Sequence, residues 1–172
     1  AETITVFKKP RVFAGISSAT EDNHDVLFID YDFVEKDVVL RDFLVIQSKF
    51  KLPQAYLFQT RKNSYHVICL LKMLPKKVYT ILSYTHADSA YMDMPLRNKY
   101  RNWILRISPK KDRSRPRFLH LIGEKKEGRE DINGRISTPH KEFLSRMYPS
   151  IKHPKYHKYS IDKCSKIYLQ KY

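Results

Sequence analysis

Asp30 and Asp32 sit one residue apart in the apolar run Val26-Leu-Phe-Ile-Asp-Tyr-Asp-Phe33. Side chains alternate across an extended chain, so both carboxylates point one way while Leu27, Ile29 and Tyr31 point the other. Two like charges side by side on a half-buried strand cost free energy unless a positive group stands between them. A divalent cation held by oxygen ligands meets that need, and Mg²⁺ or Mn²⁺ suits such donors. A strand end with both acids in water is the bland outcome of the same pattern.

Further polar residues fall where strand alternation would bring them beside the acids. Ser64 and His66 lie two apart in Asn63-Ser-Tyr-His66, and Ile104, Arg106 and Ser108 alternate with Trp103, Leu105 and Ile107. Each segment offers polar groups to one side and mainly apolar groups to the other. Single residues stay ambiguous: His66 also fits a satisfied core histidine, Arg106 a surface ion pair, and Arg61 and Lys62 a solvated turn.

Periodicity sets the elements that must position these groups. Residues 3–8 read as a first strand, with another short strand within 12–16 and a polar loop over 17–25. The Asp30/Asp32 strand follows. Val39, Phe43, Ile46 and Phe50 recur at helical spacing, which predicts a helix over 35–50 closed by Pro53. Residues 55–60 and 65–71 predict an antiparallel hairpin around the basic turn 61–64. Pro75 opens a helix to about residue 85. Residues 86–99 are irregular or a short strand, 102–108 a strand, 109–117 a basic loop, 118–123 a strand and 124–137 a charged loop. A last helix is predicted from Thr138, as N-cap, to about Tyr148. The order strand, helix, strand, strand, helix, strand predicts an α+β fold: one ferredoxin-like or RRM-like antiparallel sheet with helices on one face and the other face free. The expected organisation is a single catalytic domain over 1–148 and a Lys/Tyr-rich extension over 149–172, whose Tyr156, Tyr159 and Tyr168 could stack on bases or pack back on the domain.

With these residues in place, the chain resembles the archaeo-eukaryotic primases, in particular the primase-polymerases of plasmids and viruses. Leu27-Phe-Ile-Asp-Tyr-Asp32 looks like their hydrophobic-D-x-D motif, Asn63-Ser-Tyr-His66 their small-x-His motif, and Ala87-Asp88 their third acid. Trp103-Ile-Leu-Arg-Ile-Ser-Pro-Lys110 looks like the basic strand that follows. The likeness covers residues 26–110. It implies that Asp30, Asp32 and Asp88 hold Mg²⁺ or Mn²⁺ for nucleotidyl transfer. Ser64, His66 and Arg106 would bind the incoming nucleotide, with Arg61, Lys62 and Lys110 as further phosphate contacts. Asp93 competes with Asp88 as third acid. Two departures stand out: Cys69 and Cys164 cannot supply the zinc insertion of many members, and no helicase segment lies in these residues. A helicase is therefore an expected partner.

Charge points to the same class of ligand. The formal net charge is +15, and it is uneven. Residues 1–60 hold seven Lys/Arg against nine Asp/Glu; residues 61–172 hold 26 against nine. Such a basic half suits a polyanion, here single-stranded or primer-template DNA tracked by Lys110, Lys111, Arg113, Arg115 and Arg117, with nucleoside triphosphates as substrates. No signal peptide or long apolar run is evident. A soluble, non-secreted protein away from membranes is expected, cytoplasmic or associated with a host nucleoid. Two other functions use a similar sheet. A non-catalytic single-strand-binding module would show stacking aromatics where this chain has acids. A rolling-circle nicking endonuclease needs a His-hydrophobic-His pair, and His120 stands alone in Phe118-Leu-His-Leu121.

Overall fold

The computed structural model describes residues 14–97, 101–125, 135–151 and 169–171. In chain order the elements are β1 (Ala14–Ser17), β2 (Asp25–Asp32), α1 (Lys36–Phe50), β3 (Ala55–Arg61), β4 (Ser64–Met73), α2 (Pro75–Leu82), α3 (Ser89–Met92), α4 (Met94–Arg97), β5 (Ile104–Arg106), β6 (Arg117–Ile122), α5 (Thr138–Met147) and β7 (Leu169–Lys171). The class is α+β with antiparallel sheets. The predicted strand over 3–8 and Tyr156, Tyr159 and Tyr168 lie outside the described residues.

The main sheet grows from the β2-α1-β3-β4 segment. α1 follows the predicted period and buries Val39, Phe43 and Ile46. Asp37 in its first turn and Lys49 in its last complement the helix dipole. Lys51, left-handed at φ 55°, ends the helix and donates its N–H to the Gln47 carbonyl, ahead of Pro53. The chain returns as the β3-β4 hairpin, whose turn needs only Lys62 and Asn63, with Asn63 at φ 54°. Asparagine tolerates that left-handed conformation better than most residues. α2 starts at Pro75, which costs nothing where the N–H has no helical partner.

One sheet was predicted and two form. The main sheet runs β2-β4-β3-β6, and a second runs β5-β1-β7. The β2-α1-β3-β4 half follows the expected arrangement, but the Trp103 strand does not join it. That strand is only Ile104–Arg106 and pairs with β1, Gly15 opposite Arg106. β6 lies instead against β3, on the edge remote from β2. β7 also pairs with β1, so the end of the chain is tied to the second sheet. Local periodicity identifies a strand but carries no information about which edge it takes. Residues 86–99, read as irregular or a short strand, hold the one-turn helices α3 and α4. The residue preceding α5 is Ser137, so Thr138 is its first helical position.

The free sheet face was a second expectation, and it is only partly met. Phe28 and Phe58 lie on the same face as Asp30 and are 0% and 2% exposed. The His140 ring of α5 meets Phe28 edge-on at 5.9 Å, and Tyr148, just after α5, meets Phe58 at 4.9 Å. α5 thus covers the apolar half of this face and leaves the acidic end. Apolar residues at 28 and 58 demand such a cover, because exposing two aromatic rings forfeits their burial free energy. At the far end of α1, Gly123 sits at φ +88°. A Cβ there would stand 2.6 Å from Phe43 Cε1 and 2.8 Å from Gln47 Oε1. The Gln47 amide bonds both Glu124 backbone groups, at 2.9 and 2.8 Å, and only glycine permits that approach.

Candidate active site

The antiparallel register brings the predicted groups together. Asp30 lies directly opposite His66, and Asp32 opposite Ser64. Residues opposite each other in such a pair share a face. His66 Nε2 stands 3.4 Å from Asp30 Oδ1, with side chains 8% and 27% exposed. Thus the D-x-D and S-x-H alternations meet as one patch at the open end of β2 and β4.

Arg61 arrives by a different route. Phe58 opposes His66 and Gln59 opposes Tyr65, so the strand period would set Thr60 against Ser64. A bulge intervenes, and Arg61 opposes Ser64 instead. One extra residue re-aims a strand's side chains. The Arg61 guanidinium consequently lies 3.4 Å from Asp32 Oδ1, and its Nε donates to Ser64 Oγ at 3.3 Å. Lys62 stays exposed in the turn.

Asp88 reaches the site through its backbone. Its N–H donates to the Asp30 carbonyl at 2.9 Å, using the outer edge of β2, which pairs with no strand among the described residues. Its carboxylate accepts from the Tyr91 N–H at 2.9 Å and so caps α3. Asp93, the competing third acid, accepts from the Tyr79 hydroxyl at 3.0 Å. Among the described residues, no three His, Cys, Asp or Glu side chains cluster closely enough to hold a metal ion. The expected trio is therefore a carboxylate pair with a third acid engaged alongside.

Arg106 does not stand on the main sheet. It lies in β5 and donates to the carbonyls of Ser108 and Ser114, holding the base of the basic loop. Within that loop Lys110 and Arg113 exchange backbone hydrogen bonds at 2.9 and 2.6 Å. Lys110, Lys111, Arg115 and Arg117 are exposed, whereas Arg113 is half-buried. Arg115 sits over the Tyr148 ring at 4.8 Å, and Arg117 donates to the Gln59 side chain at 3.1 Å. Arg117 thus stands at the β3-β6 pair and Arg115 against the ring that follows α5.

Beside the site, on the same sheet face, α5 is locked by His140. Its Nε2–H donates to the Ser17 carbonyl at 2.8 Å, and its Nδ1 accepts from Ser137 Oγ at 2.6 Å. Burial holds this ring neutral and depresses its pKa to about 4, against a small opposing effect of the Ser17 bond.

Sequence reasoning missed Phe33. By strand alternation it belongs with Leu27, Ile29 and Tyr31, all 0% exposed, yet it is 78% exposed. Its φ of 58° turns it outward. A bulky residue in the left-handed region is an outlier that costs on the order of 1–3 kcal/mol. The Phe33 N–H donates to Ser64 Oγ at 3.3 Å, and the Val34 N–H to the Asn63 carbonyl at 2.8 Å. The one available sequence signal was an aromatic residue immediately after D-x-D, at a strand end.

No helix among the described residues is long and apolar enough to cross a membrane. No protein-family model, curated protein or solved structure matches this chain.

Proposed function

We propose that this chain is a metal-dependent nucleotidyltransferase of the primase-polymerase kind, joining nucleoside triphosphates on a single-stranded DNA template. The observation that carries the reading is the β2-β4 register, which sets two carboxylates, an imidazole and a hydroxyl on one face. The resemblance to primase-polymerase motifs and the basic second half of the chain support it.

The donor set fits Mg²⁺ or Mn²⁺. Mg²⁺ is commonly held by one or two carboxylates, its sphere completed by waters and substrate phosphates rather than by a protein cage. Asp30 and Asp32 supply such a pair, and half-exposed carboxylates leave room for water and phosphate. Bound there, the ion would activate the attacking hydroxyl and neutralise charge on the triphosphate.

The chain's own groups have distinct tasks. Arg61, beside Asp32, presents paired donors toward phosphate oxygens. His66 holds a ring nitrogen against Asp30 and can donate to the same triphosphate. Ser64 Oγ fixes the strand ends by accepting from Phe33 and Arg61. Asp88 is the third acid of the resembled motif, and its carboxylate, which caps α3 here, would hold the ion together with Asp30 and Asp32. Lys110, Lys111 and Arg117 are exposed and would track the template backbone.

The test is primer extension and de novo synthesis with labelled nucleotides and Mg²⁺ or Mn²⁺. Asp30→Asn/Asp32→Asn should abolish incorporation while retaining the fold. Incorporation that survives the double substitution refutes the assignment. Salt-sensitive strand binding without incorporation by either protein would instead favour the non-catalytic binding module.

A further inference from the structure

We propose that Phe33 and Arg61 form a nucleobase-stacking platform at the rim of this site, receiving the base of an incoming nucleotide or of the template strand. The proposal rests on the nucleic-acid side of the reading above, and its test is a binding measurement separable from catalysis.

Phe33 is anomalous on two counts. It exposes 78% of its surface although it directly follows a strand whose alternate residues Leu27, Ile29 and Tyr31 are fully buried. It also holds φ at 58°, where Gly or Asn would sit with less strain. Neither solvation nor backbone preference favours phenylalanine here, so the stability of the fold does not account for it. Strained residues persist where their surroundings fix them, and they concentrate at functional sites. The bonds from Phe33 to Ser64 Oγ and from Val34 to the Asn63 carbonyl do that fixing.

Arg61 completes the platform. Its guanidinium carbon lies 4.4 Å from the Phe33 ring centroid, within cation–π range. The same guanidinium is held by Asp32 and Ser64, so the stack is set before any ligand arrives. One ring face lies under Arg61, and the exposure of Phe33 leaves the other to solvent. Aromatic rings and arginine planes in this arrangement bind bases irrespective of sequence, because every base offers a π face. Arg61 links the ring to Asp32, so the platform borders the carboxylate pair.

The experiment uses the full chain and two pairs of ligands. Oligo(dT) is compared with an abasic strand of equal length, and a nucleoside triphosphate with inorganic triphosphate, both in Mg²⁺. Phe33→Ala should weaken a base-bearing ligand about tenfold and leave its base-free counterpart unchanged. Phe33→Trp should restore affinity, and its fluorescence should be quenched on binding over the constant background of buried Trp103. A loss confined to the nucleoside triphosphate places the incoming base on the platform, and a loss confined to oligo(dT) places the template base there. If Phe33→Ala binds both base-bearing ligands within about twofold of wild type, and Phe33→Trp is not quenched, the platform is refuted. Catalysis fails separately: incorporation insensitive to Asp30→Asn/Asp32→Asn removes the polymerase assignment without touching these affinities.

Discussion

Acid should unlock α5 through a single buried ring. His140 is 2% exposed and bonded at both nitrogens in its neutral form. Its pKa falls from 6.5 to about 4 on folding because burial disfavours the charged ring. Above pH 6.5 both folded and unfolded chains carry a neutral imidazole, so it contributes no pH dependence. As pH falls below 6.5 the unfolded chain takes up a proton that the folded chain refuses. Stability therefore drops with falling pH and levels off near pH 4, where the folded ring also charges. At 1.36 kcal/mol per pH unit of separation, the loss is about 3 kcal/mol. A domain is stable by only about 5–15 kcal/mol, so the change is easily measured.

Other groups act in part of the same range. Burial raises the pKa of Asp25, so the folded state gains stability there as pH falls toward ordinary carboxylate values. Asp22, held down to about 2 by its bonds from Thr20 and Lys72, loses its contribution only at more acidic pH. Comparison with His140→Gln isolates the ring, because the amide still offers Ser17 an N–H and does not titrate. Urea unfolding of both proteins, followed by Trp103 fluorescence between pH 7 and 4, gives the difference directly. The variant should start less stable and lose less with acid, so that the two curves converge by about 3 kcal/mol. Parallel curves would refute the assignment of a neutral, desolvated His140.

Two further outcomes follow from the geometry. Gly123→Ala drives a methyl into Phe43 and Gln47 at a backbone angle that alanine resists, and should destabilise by about 1–3 kcal/mol; an unchanged thermal midpoint would contradict it. Replacing exposed Lys110, Lys111 and Arg117 by Ala should make the salt dependence of single-strand binding shallower, by about 2 in log–log slope. An unchanged slope would show that this loop does not contact the phosphate backbone.

The alternation of Asp30 and Asp32 with Leu27, Ile29 and Tyr31 was legible in the chain, as was the pairing of Ser64 with His66. Both follow from the two-residue strand period, a purely local property. The helical stripe Val39, Phe43, Ile46 was legible for the same reason. Which strands become neighbours was not, because a short apolar run fits either sheet, and only the competition for edges sends Ile104–Arg106 to β1 and Arg117–Ile122 to β3. The placement of Arg61 and Phe33 was likewise decided in three dimensions. A bulge shifts one by a residue and a left-handed φ swings the other out of the apolar row, and each breaks the periodicity from which a sequence is read. Asp88 shows the same division: its proximity to Asp30 comes from a backbone bond along the outer edge of β2, and no side-chain pattern encodes that bond.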